Sequence, residues 1–375
     1  MTGLGRLRQD AAHGRGRRYP ELPHLFRDDY QLDRDRIVLA RAFRRLEDKT
    51  QVFPAGDSDH FRNRLTHTIE VAQFARTVSS VLKLNEDLTE ALALAHDIGH
   101  PPFAHAGEEE LNRQMRFFGD RFEHNLHALR IVESFEDRYA RFPGLNLTFE
   151  VREGIVKHSH DFKPGEEPEL DEYLPGLRPP LEAQLIDLAD EIAYDTADLD
   201  DTFSAGFFSM DDVAADVPVF YELQEEIANQ FPGSPERVQF EEILRALMDR
   251  LVAGLINGTA AAANGAGVET VDDVRAFPKR LACFTPEVAA LAAGLKTFLS
   301  GHVYSSSRLR SERKRSTLKI ARLFEHFLEH PECLPRSFRE SAQKTPLHRV
   351  VCDYIAGMTD GYFLRCYFEQ KLDVA

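Results

Sequence analysis

The stretch RLTHTIEVAQFARTVSSVLKLNEDLTEALALAHDIGHPPFAH, residues 64 to 105, decides the fold class of this chain. Apolar side chains recur in its first half at steps of three and four residues, the spacing of one helix face: Ile69, Ala72, Ala75, Val78 and Leu82. Asn85 and Asp87 then offer caps for a second helix, which Gly99 and the Pro101–Pro102 pair end. The stretch therefore predicts two successive helices with a sharp turn after the second.

Most of the remaining chain continues the helical pattern, and strand-like alternation is scarce. Residues 124–142 and 179–201 have the pattern of further helices. Residues 254–273, GLINGTAAAANGAGVETVDD, predict a loop, because they are rich in Gly, Ala and Asn and lack the regular spacing of large apolar side chains that a core helix has. We therefore predict an all-α fold. Its expected parts are an extended N-terminal arm (1–35), a helical core (36–205) and a C-terminal helical region (206–375).

The composition indicates a cytoplasmic protein with a large core. The chain has 375 residues, 43% of them hydrophobic, and no apolar run approaches the roughly 20 residues of a membrane span. The basic N-terminus lacks the apolar segment of a secretory signal. The four cysteines form no CxxC pair, so we expect reduced thiols: Cys283, Cys333, Cys352 and Cys366. These features predict a cytoplasmic location and no membrane partner.

The net charge restricts the partners. A formal charge of −16 makes the chain as a whole a poor non-specific binder of nucleic acid. An anionic substrate would therefore need a metal ion or a few placed Arg and Lys side chains.

An acidic stripe runs along the helix expected at residues 179–201. Steps of three and four residues return its members to one side: Asp187, Asp190, Tyr194 and Asp198. No Lys or Arg stands within residues 181–201 to relieve the repulsion. The stripe is therefore either an ordinary surface face or a face that a cation or hydrogen-bond donor covers.

Histidines concentrate around the turn after the second helix. Nine of the 15 histidines lie between His60 and His160. Adjacent residues on a regular helix point about 100° apart, but at a helix end His96 and Asp97 can turn to one ion. Imidazole and carboxylate without thiolate suit Mn, Mg, Fe, Co, Ni or Zn. A catalytic metal site with open positions is one interpretation, and a buried core histidine is the other.

Several sequence blocks, in order, resemble one family of enzymes. RLTHT (64–68), the HD pair and DLADEIAYD (187–195) resemble the H…HD…D signature of the HD-domain metal-dependent phosphohydrolases. The resemblance is closer to the deoxynucleoside triphosphate triphosphohydrolases, the dGTPase family, and extends from about Tyr19 to Phe368. The blocks that carry it are FRRLEDKTQVFP (43–54), RLTHTIEVAQFAR (64–76), AHDIGHPPFAHAGEE (95–109), FEHN (122–125) and DYIAGMTD (353–360).

This resemblance implies an HD-domain helical core with additional C-terminal helices. It implies a divalent metal held by His67, His96, Asp97 and Asp190. In the family, water activated by the metal attacks the α-phosphorus of a deoxynucleoside triphosphate (dNTP), and inorganic triphosphate and a deoxynucleoside result. The usual substrate is dGTP. The ion would lower the pKa of the water and offset the phosphate charge.

The resemblance also implies catalytic roles for four further side chains. His124, in FEHN, matches the family histidine beside the α-phosphate, a candidate general acid or base. Glu108, or the adjacent Glu109, would hold that histidine in orientation. His100 and His105 match phosphate-facing histidines, although packing in a proline-rich turn would also explain them.

Substrate contacts carry over to five positions. Arg64 matches a phosphate-contacting arginine three residues before the first metal ligand. Gln51 and Asp198 would bind the 3′-hydroxyl, and Tyr194 would pack under the sugar and leave no room for a 2′-hydroxyl. Lys157 is either a phosphate contact or a solvated lysine. The DYIAGMTD block would contribute to the base pocket or to the structure beneath it.

Expectations about assembly and regulation rest on the resemblance. Some family members are hexamers or tetramers, some are activated by bound dNTPs, and some bind single-stranded DNA. The basic segment SRLRSERKRSTLKIAR, residues 307–322, is where such DNA would bind. Two other interpretations of this segment stay open. It is a solvated helix face, or it contacts a polyphosphate, either at the active site of a neighbouring subunit or at an allosteric nucleotide site.

Two other functions compete with a dNTP triphosphohydrolase. One is a different HD phosphohydrolase, such as a 5′-nucleotidase or a hydrolase of cyclic nucleotides or alarmones. Generic HD domains lack the blocks at 43–54 and 353–360, which disfavours it. The other is a non-catalytic nucleotide sensor or single-stranded DNA-binding module, which the complete set of expected ligands disfavours.

Overall fold

A computed structural model describes residues 3–52 and 61–372. The all-α prediction is confirmed, because these residues form helices and no β-strand, with only two isolated bridges. The described α-helices are α1 Asp29–Leu39, α2 Arg41–Arg45, α3 Arg64–Leu82, α4 Glu86–Ala95, α5 Ala104–Arg116, α6 His124–Arg130, α7 Phe149–Val156, α8 Leu181–Ser204, α9 Met210–Asp216, α10 Pro218–Gln230, α11 Glu236–Ala266, α12 Val271–Ala276, α13 Pro286–Leu299, α14 Ser307–Glu329, α15 Arg336–Ser341, α16 Leu347–Ala356 and α17 Asp360–Glu369.

The local stop and start signals around α4 act as the sequence predicts. Asn85 caps this helix, since its Oδ1 accepts a hydrogen bond from the backbone N–H of Leu88 at 3.1 Å. The helix ends at Ala95, so that His96 and Asp97 lie just beyond it. In the part of the chain that the structure describes, no helix has the length and apolar character needed to cross a bilayer.

Helix α11 corrects the expectation of a loop at residues 254–273. The helix continues unbroken to Ala266, and Gly267 closes it with a φ of 66°. Gly258 is a close-packing position and not a turn, because an added Cβ would lie 2.3 Å from the carbonyl oxygen of Cys283. The alanines are strong helix formers. The loop prediction was wrong because it treated small residues as helix breakers.

Two compact units divide the chain, and each consists of three segments. The first unit contains Met1–Arg34, Ile69–Leu94 and Thr148–Ser306. The second unit contains Asp35–Thr68, Ala95–Leu147 and Ser307–Ala375. The arrangement into an arm, a core and a C-terminal region stays a prediction.

In the first unit, α8, α11 and α13 pack together over an aromatic and aliphatic core. Phe203 and Phe240 stack with their ring centroids 3.9 Å apart. The N-terminal residues take part in this packing, because Leu4 and Leu7 are fully buried. The backbone N–H of Leu4 also donates to the carbonyl oxygen of Leu82 at 2.7 Å.

In the second unit, α5, α14 and α16 pack around a core of large buried side chains, including Phe122, Phe324, Phe327, Phe363 and Tyr367. The turn before α5 is strained, because Phe103 and Ala104 have φ angles of 62° and 53°, a left-handed region that non-glycine residues seldom adopt. Gly99 is required in the same turn, since an added Cβ would lie 2.0 Å from the carbonyl oxygen of His124. Packing thus fixes the segment that carries the expected site.

Candidate active site

His67 and His96 lie close together in the second unit. His67 is in the first turn of α3, and His96 directly follows α4, so two helix ends bring the rings together. The residues are 1% and 3% exposed, and their ring centroids are 5.8 Å apart. A ligating nitrogen of each lies within 4.8 Å of the other. Two imidazoles so placed fit one divalent ion, whose bonds to nitrogen are about 2 Å long.

The carboxylate of Asp97 lies beside this pair and is already engaged. Arg64 donates from Nη1 to its Oδ2 at 2.6 Å. Nδ1 of His100 lies 2.8 Å from its Oδ1, and Nε2 of His96 lies 3.8 Å from the same oxygen. Burial would raise the pKa of Asp97, but nearby charges, first that of Arg64, hold it well below the usual range. Asp97 is therefore ionised at neutral pH, as a metal ligand must be.

His124 is paired with Glu108 at the start of α6. The backbone N–H of His124 donates to Glu108 Oε1 at 2.9 Å, and its Nδ1 lies 2.8 Å from the same oxygen. Burial opposes ionisation of Glu108, but the hydrogen bond and charge of His124 lower its pKa to about 2. Glu109 is exposed, so Glu108 is the glutamate that orients the His124 ring.

Two further histidines, His100 and His105, continue from this pair. The ring centroid of His100 lies 3.9 Å from that of His124 and 6.2 Å from that of His105. Ligand atoms of His100, Glu108 and His124 lie within 4.8 Å of one another. Such a group can hold a proton, or a cation, next to a phosphate.

The DYIAGMTD block (353–360) lies beneath the histidines. Asp360 accepts hydrogen bonds from the backbone N–H groups of Thr50 at 3.0 Å and Phe103 at 3.1 Å. The hydroxyl of Thr50 donates to the same carboxylate. One buried side chain thus joins the 43–54 block to the strained turn that precedes α5.

Lys49 makes a second connection between the same segments. It is 3% exposed, and its Nζ donates to the carbonyl oxygens of His100 and Ala356, the latter at 3.3 Å. Burial, followed by the charge of Arg64, lowers the pKa of Lys49 to about 7. These contacts favour the second of the two interpretations of DYIAGMTD, a supporting structure beneath the site.

Replacing Asp360 with alanine is expected to lower the free energy of unfolding by about 3 kcal/mol, because the buried N–H groups of Thr50 and Phe103 lose their acceptor. Urea unfolding followed by circular dichroism measures this change. Asp137→Ala, which removes an exposed carboxylate in the same unit, should change stability by less than about 0.5 kcal/mol. Equal effects of the two substitutions would contradict the role of Asp360.

The acidic stripe of α8 is covered by donors within the first unit. Nδ1 of His158 lies 2.7 Å from Asp187 Oδ1, and its Nε2 lies 3.8 Å from Asp190 Oδ2. Arg280 donates to the other oxygen of Asp187. Burial would raise the pKa of Asp187, but His158 and then Arg280 lower it. Sequence reasoning missed both donors; His158 directly follows Lys157, which the resemblance singled out, but Arg280 is in a segment without a motif.

Tyr194 and Asp198 meet a second tyrosine, Tyr304, in the same unit. Asp198 is 1% exposed and accepts a hydrogen bond from the hydroxyl of Tyr304. The ring centroids of Tyr194 and Tyr304 are 5.9 Å apart. Burial and the Asp198 charge raise the pKa of both tyrosines above the ordinary value. Tyr304 had no sequence signal, because the short π-helical turn that carries it matches none of the motifs.

Lys157 does not fit a phosphate contact. The residue is 1% exposed. Its Nζ donates to Glu153 Oε1 at 2.9 Å and to the carbonyl oxygens of Leu174 and Leu177 at 3.0 and 2.9 Å. All three ammonium protons are therefore used inside the first unit, and both sequence interpretations, a phosphate contact and a solvated lysine, were wrong.

The expected site residues divide between the units. The second unit holds Gln51, Arg64, His67, His96, Asp97, His100, His105, Glu108 and His124, and the first holds Lys157, Asp190, Tyr194 and Asp198. Gln51 is half-buried, and among the described residues its Oε1 has no hydrogen-bond partner. Phe53 and Pro54, the end of the 43–54 block, lie outside the described residues.

Models of protein families match two parts of the chain. Residues 64–195 match the HD domain, and residues 282–369 match the phosphohydrolase-associated domain. The HD range contains the four expected metal ligands, His67, His96, Asp97 and Asp190. HD domains bind divalent metals, and the buried His67–His96 pair beside an ionised Asp97 is consistent with that property.

Curated relatives resemble the chain over nearly its whole length. A deoxyguanosinetriphosphate triphosphohydrolase-like protein of Geobacter sulfurreducens is 44% identical over 360 residues, covering 94% of this chain and 91% of that protein. Proteins of the same name from Azoarcus sp. and Bordetella pertussis are 45% and 42% identical, covering 94% and 97% of this chain and 93% and 95% of theirs. The chain therefore belongs to the deoxyguanosinetriphosphate triphosphohydrolase-like family of HD-domain phosphohydrolases.

Proposed function

We propose that this protein is a metal-dependent dNTP triphosphohydrolase that converts a dNTP, with dGTP as the reference substrate, to a deoxynucleoside and inorganic triphosphate. The observation that carries the proposal is the continuous row of side chains in the second unit. His124 is held by Glu108 and its ring lies against that of His100, which in turn contacts Asp97. The proposed proton donor, His124, and the proposed metal ligand, Asp97, thus lie within one packed group.

The reaction defines what these groups must do. The oxygen of water bonds to the α-phosphorus, and the bond from that phosphorus to the 5′-oxygen breaks. The 5′-oxygen leaves with the electron pair and needs a proton, while the attacking water must lose one. An imidazole held by a carboxylate can supply or accept a proton near neutral pH, and we assign this task to His124, with Glu108 fixing its orientation.

A divalent ion would be held by His67, His96 and Asp97, with Asp190 as a fourth ligand on the strength of the sequence resemblance. When bound, such an ion lowers the pKa of water and neutralises phosphate charge. The chain's own contribution is to keep Asp97 ionised through Arg64 and to hold the turn that carries His96 in place. This donor set accepts Mn, Mg, Fe, Co, Ni or Zn.

Substrate positioning is assigned on the same resemblance. Arg64 and the histidines His100 and His105 would contact the phosphates. Gln51, Tyr194 and Asp198 would select the deoxyribose. Because Arg64 is bonded to Asp97 and Asp198 to Tyr304, substrate must share or replace these two contacts.

Assembly, regulation and location are proposed from family membership. We propose a cytoplasmic homo-oligomer, a hexamer or tetramer, in which one dNTP can activate hydrolysis of another. Single-stranded DNA remains a proposed ligand of the basic segment. Sedimentation of the purified protein with and without dNTPs tests the assembly.

The deciding assay incubates the purified protein with Mn²⁺ and the four dNTPs, singly and mixed, and measures inorganic triphosphate. Triphosphate from the wild type supports the proposal, and a higher rate in the mixture supports activation. Monophosphate, diphosphate or orthophosphate as product would indicate another HD phosphohydrolase. Nucleotide binding without turnover would indicate a sensor.

His158 should affect metal binding through Asp190. We expect His158→Asn to weaken Mn²⁺ binding by about 10- to 100-fold, the usual cost of losing a group that orients a metal ligand. Calorimetric titration with Mn²⁺ measures the effect without requiring catalysis. His13→Asn, an exposed histidine of the same unit, is the control. Unchanged affinity in His158→Asn would contradict this role.

A further inference from the structure

A cleft of about 730 Å³ opens in the second unit beside the proposed catalytic pair. His105 and Glu108 form part of its wall, and Arg116, Arg121 and Arg313 line the remainder together with acidic and apolar side chains. Its volume is in the range of small-molecule sites, about 300–1,000 Å³. The cleft is therefore large enough for a phosphate chain and continuous with residues that the proposed reaction uses.

Two arginines of this cleft differ from neighbouring arginines on the same helices. On α5, Arg113 is bonded to Glu110 at 2.6 and 2.8 Å, and on α14, Arg315 pairs with Glu312 at 2.7 Å. Neither of these paired arginines lines the cleft.

Arg116 on α5 and Arg313 on α14 are the contrasting pair. Both line the cleft and both are exposed. Within residues 3–52 and 61–372, neither side chain makes an ion pair or a hydrogen bond. Helices α5 and α14 pack against each other, so their packing brings two guanidinium groups that form no ion pair to one cleft in a protein of net charge −16.

Three glutamates line the cleft beside its three arginines. Glu108 already meets His124. Glu109 and Glu123 also line the cleft. A phosphate chain that carries a divalent cation presents both signs of charge, so it suits a wall of arginines with carboxylates among them.

We infer that this cleft is a polyphosphate subsite in which Arg116 and Arg313 bind the terminal phosphates of the substrate and, after cleavage, the released triphosphate. The inference rests on the proposed function, and it gives part of the basic segment a role within its own unit. The guanidinium groups supply fixed, paired N–H donors that match phosphate oxygens. His105 and Glu108 belong both to the proposed catalytic group and to the wall of the cleft. The reacting end of the phosphate chain would therefore lie at that side of the cleft.

The test measures binding of inorganic tripolyphosphate, with equimolar Mg²⁺, to the full-length protein by calorimetry. The variants are Arg116→Gln, Arg313→Gln and the double substitution, with Arg113→Gln and Arg315→Gln as controls on the same helices. Each cleft variant should weaken tripolyphosphate binding about tenfold or more, because a charge-assisted hydrogen bond is lost. Its KM for the dNTP should rise by a similar factor, well beyond any fall in kcat, while both controls behave as wild type.

Three results separate the possibilities. Unchanged tripolyphosphate binding in the double variant, or equal losses in the controls, overturns the inference. Weaker tripolyphosphate binding with an unchanged KM overturns the substrate role and indicates a separate site for inorganic polyphosphate. If the wild type hydrolyses no dNTP but the cleft variants alone lose tripolyphosphate binding, the subsite stands and the proposed function fails.

Discussion

Asp97→Asn is expected to lower kcat by at least about 10³-fold, because the metal contribution to phosphate chemistry is worth several kcal/mol. The asparagine keeps the shape of the side chain but removes the negative charge that binds an ion. The measurement is the rate of triphosphate release at saturating Mn²⁺ and dNTP, together with the metal content of the purified variant. Activity above a tenth of wild type at unchanged metal content would contradict the role of Asp97.

The choice of asparagine matters because Asp97 also has a structural partner. Arg64 is 3% exposed and bonded to Asp97, and removing one member of a buried pair typically costs about 3–5 kcal/mol. Asp97→Ala would therefore combine loss of metal with loss of stability. A thermal unfolding curve for the asparagine variant tests whether the protein remains folded at the assay temperature.

His124→Gln is expected to reduce kcat by about 10²- to 10⁴-fold, the usual contribution of a general acid or base. Glutamine can still meet Glu108 but cannot donate and regain a proton near neutral pH. The assay is again triphosphate release under saturating conditions, with KM determined in parallel. A fall confined to KM would contradict proton transfer and indicate a binding role.

Glu108→Gln provides a matched companion to this substitution. If Glu108 acts by orienting His124, Glu108→Gln should lower kcat very little further in a protein that already carries His124→Gln. The reason is that the effects of substitutions in residues that act as a unit are not additive. Fully additive losses in the double variant would indicate that Glu108 acts on substrate by a separate route.

The parts of this protein that could be predicted from sequence are those determined by neighbouring residues. The end of α4, its cap at Asn85, and the turn that follows depend on signals within a few residues. The pairing of His124 with Glu108 was instead implied by the family resemblance, and it joins residues 16 positions apart. The all-α fold follows from the same helical periodicity along the chain.

The errors and omissions concern side chains whose surroundings are determined by contacts with residues farther along the sequence. Lys157 looks like a solvated lysine in sequence, but carbonyl groups 17 and 20 residues further on enclose it. Arg280 reaches Asp187 across 93 residues, and Asp360 reaches Thr50 across 310. No local pattern records such contacts. The part of α11 that is rich in Gly and Ala was mistaken for a loop for a different reason, because small residues were treated as helix breakers.

The most direct test of the proposed chemistry is dNTP hydrolysis by the wild type and Mn²⁺ in water enriched in ¹⁸O, with both products analysed by mass spectrometry. Attack of water on the α-phosphorus predicts one ¹⁸O atom in the inorganic triphosphate and none in the deoxynucleoside. Label in the deoxynucleoside, or label in a monophosphate or orthophosphate with no triphosphate formed, would contradict it.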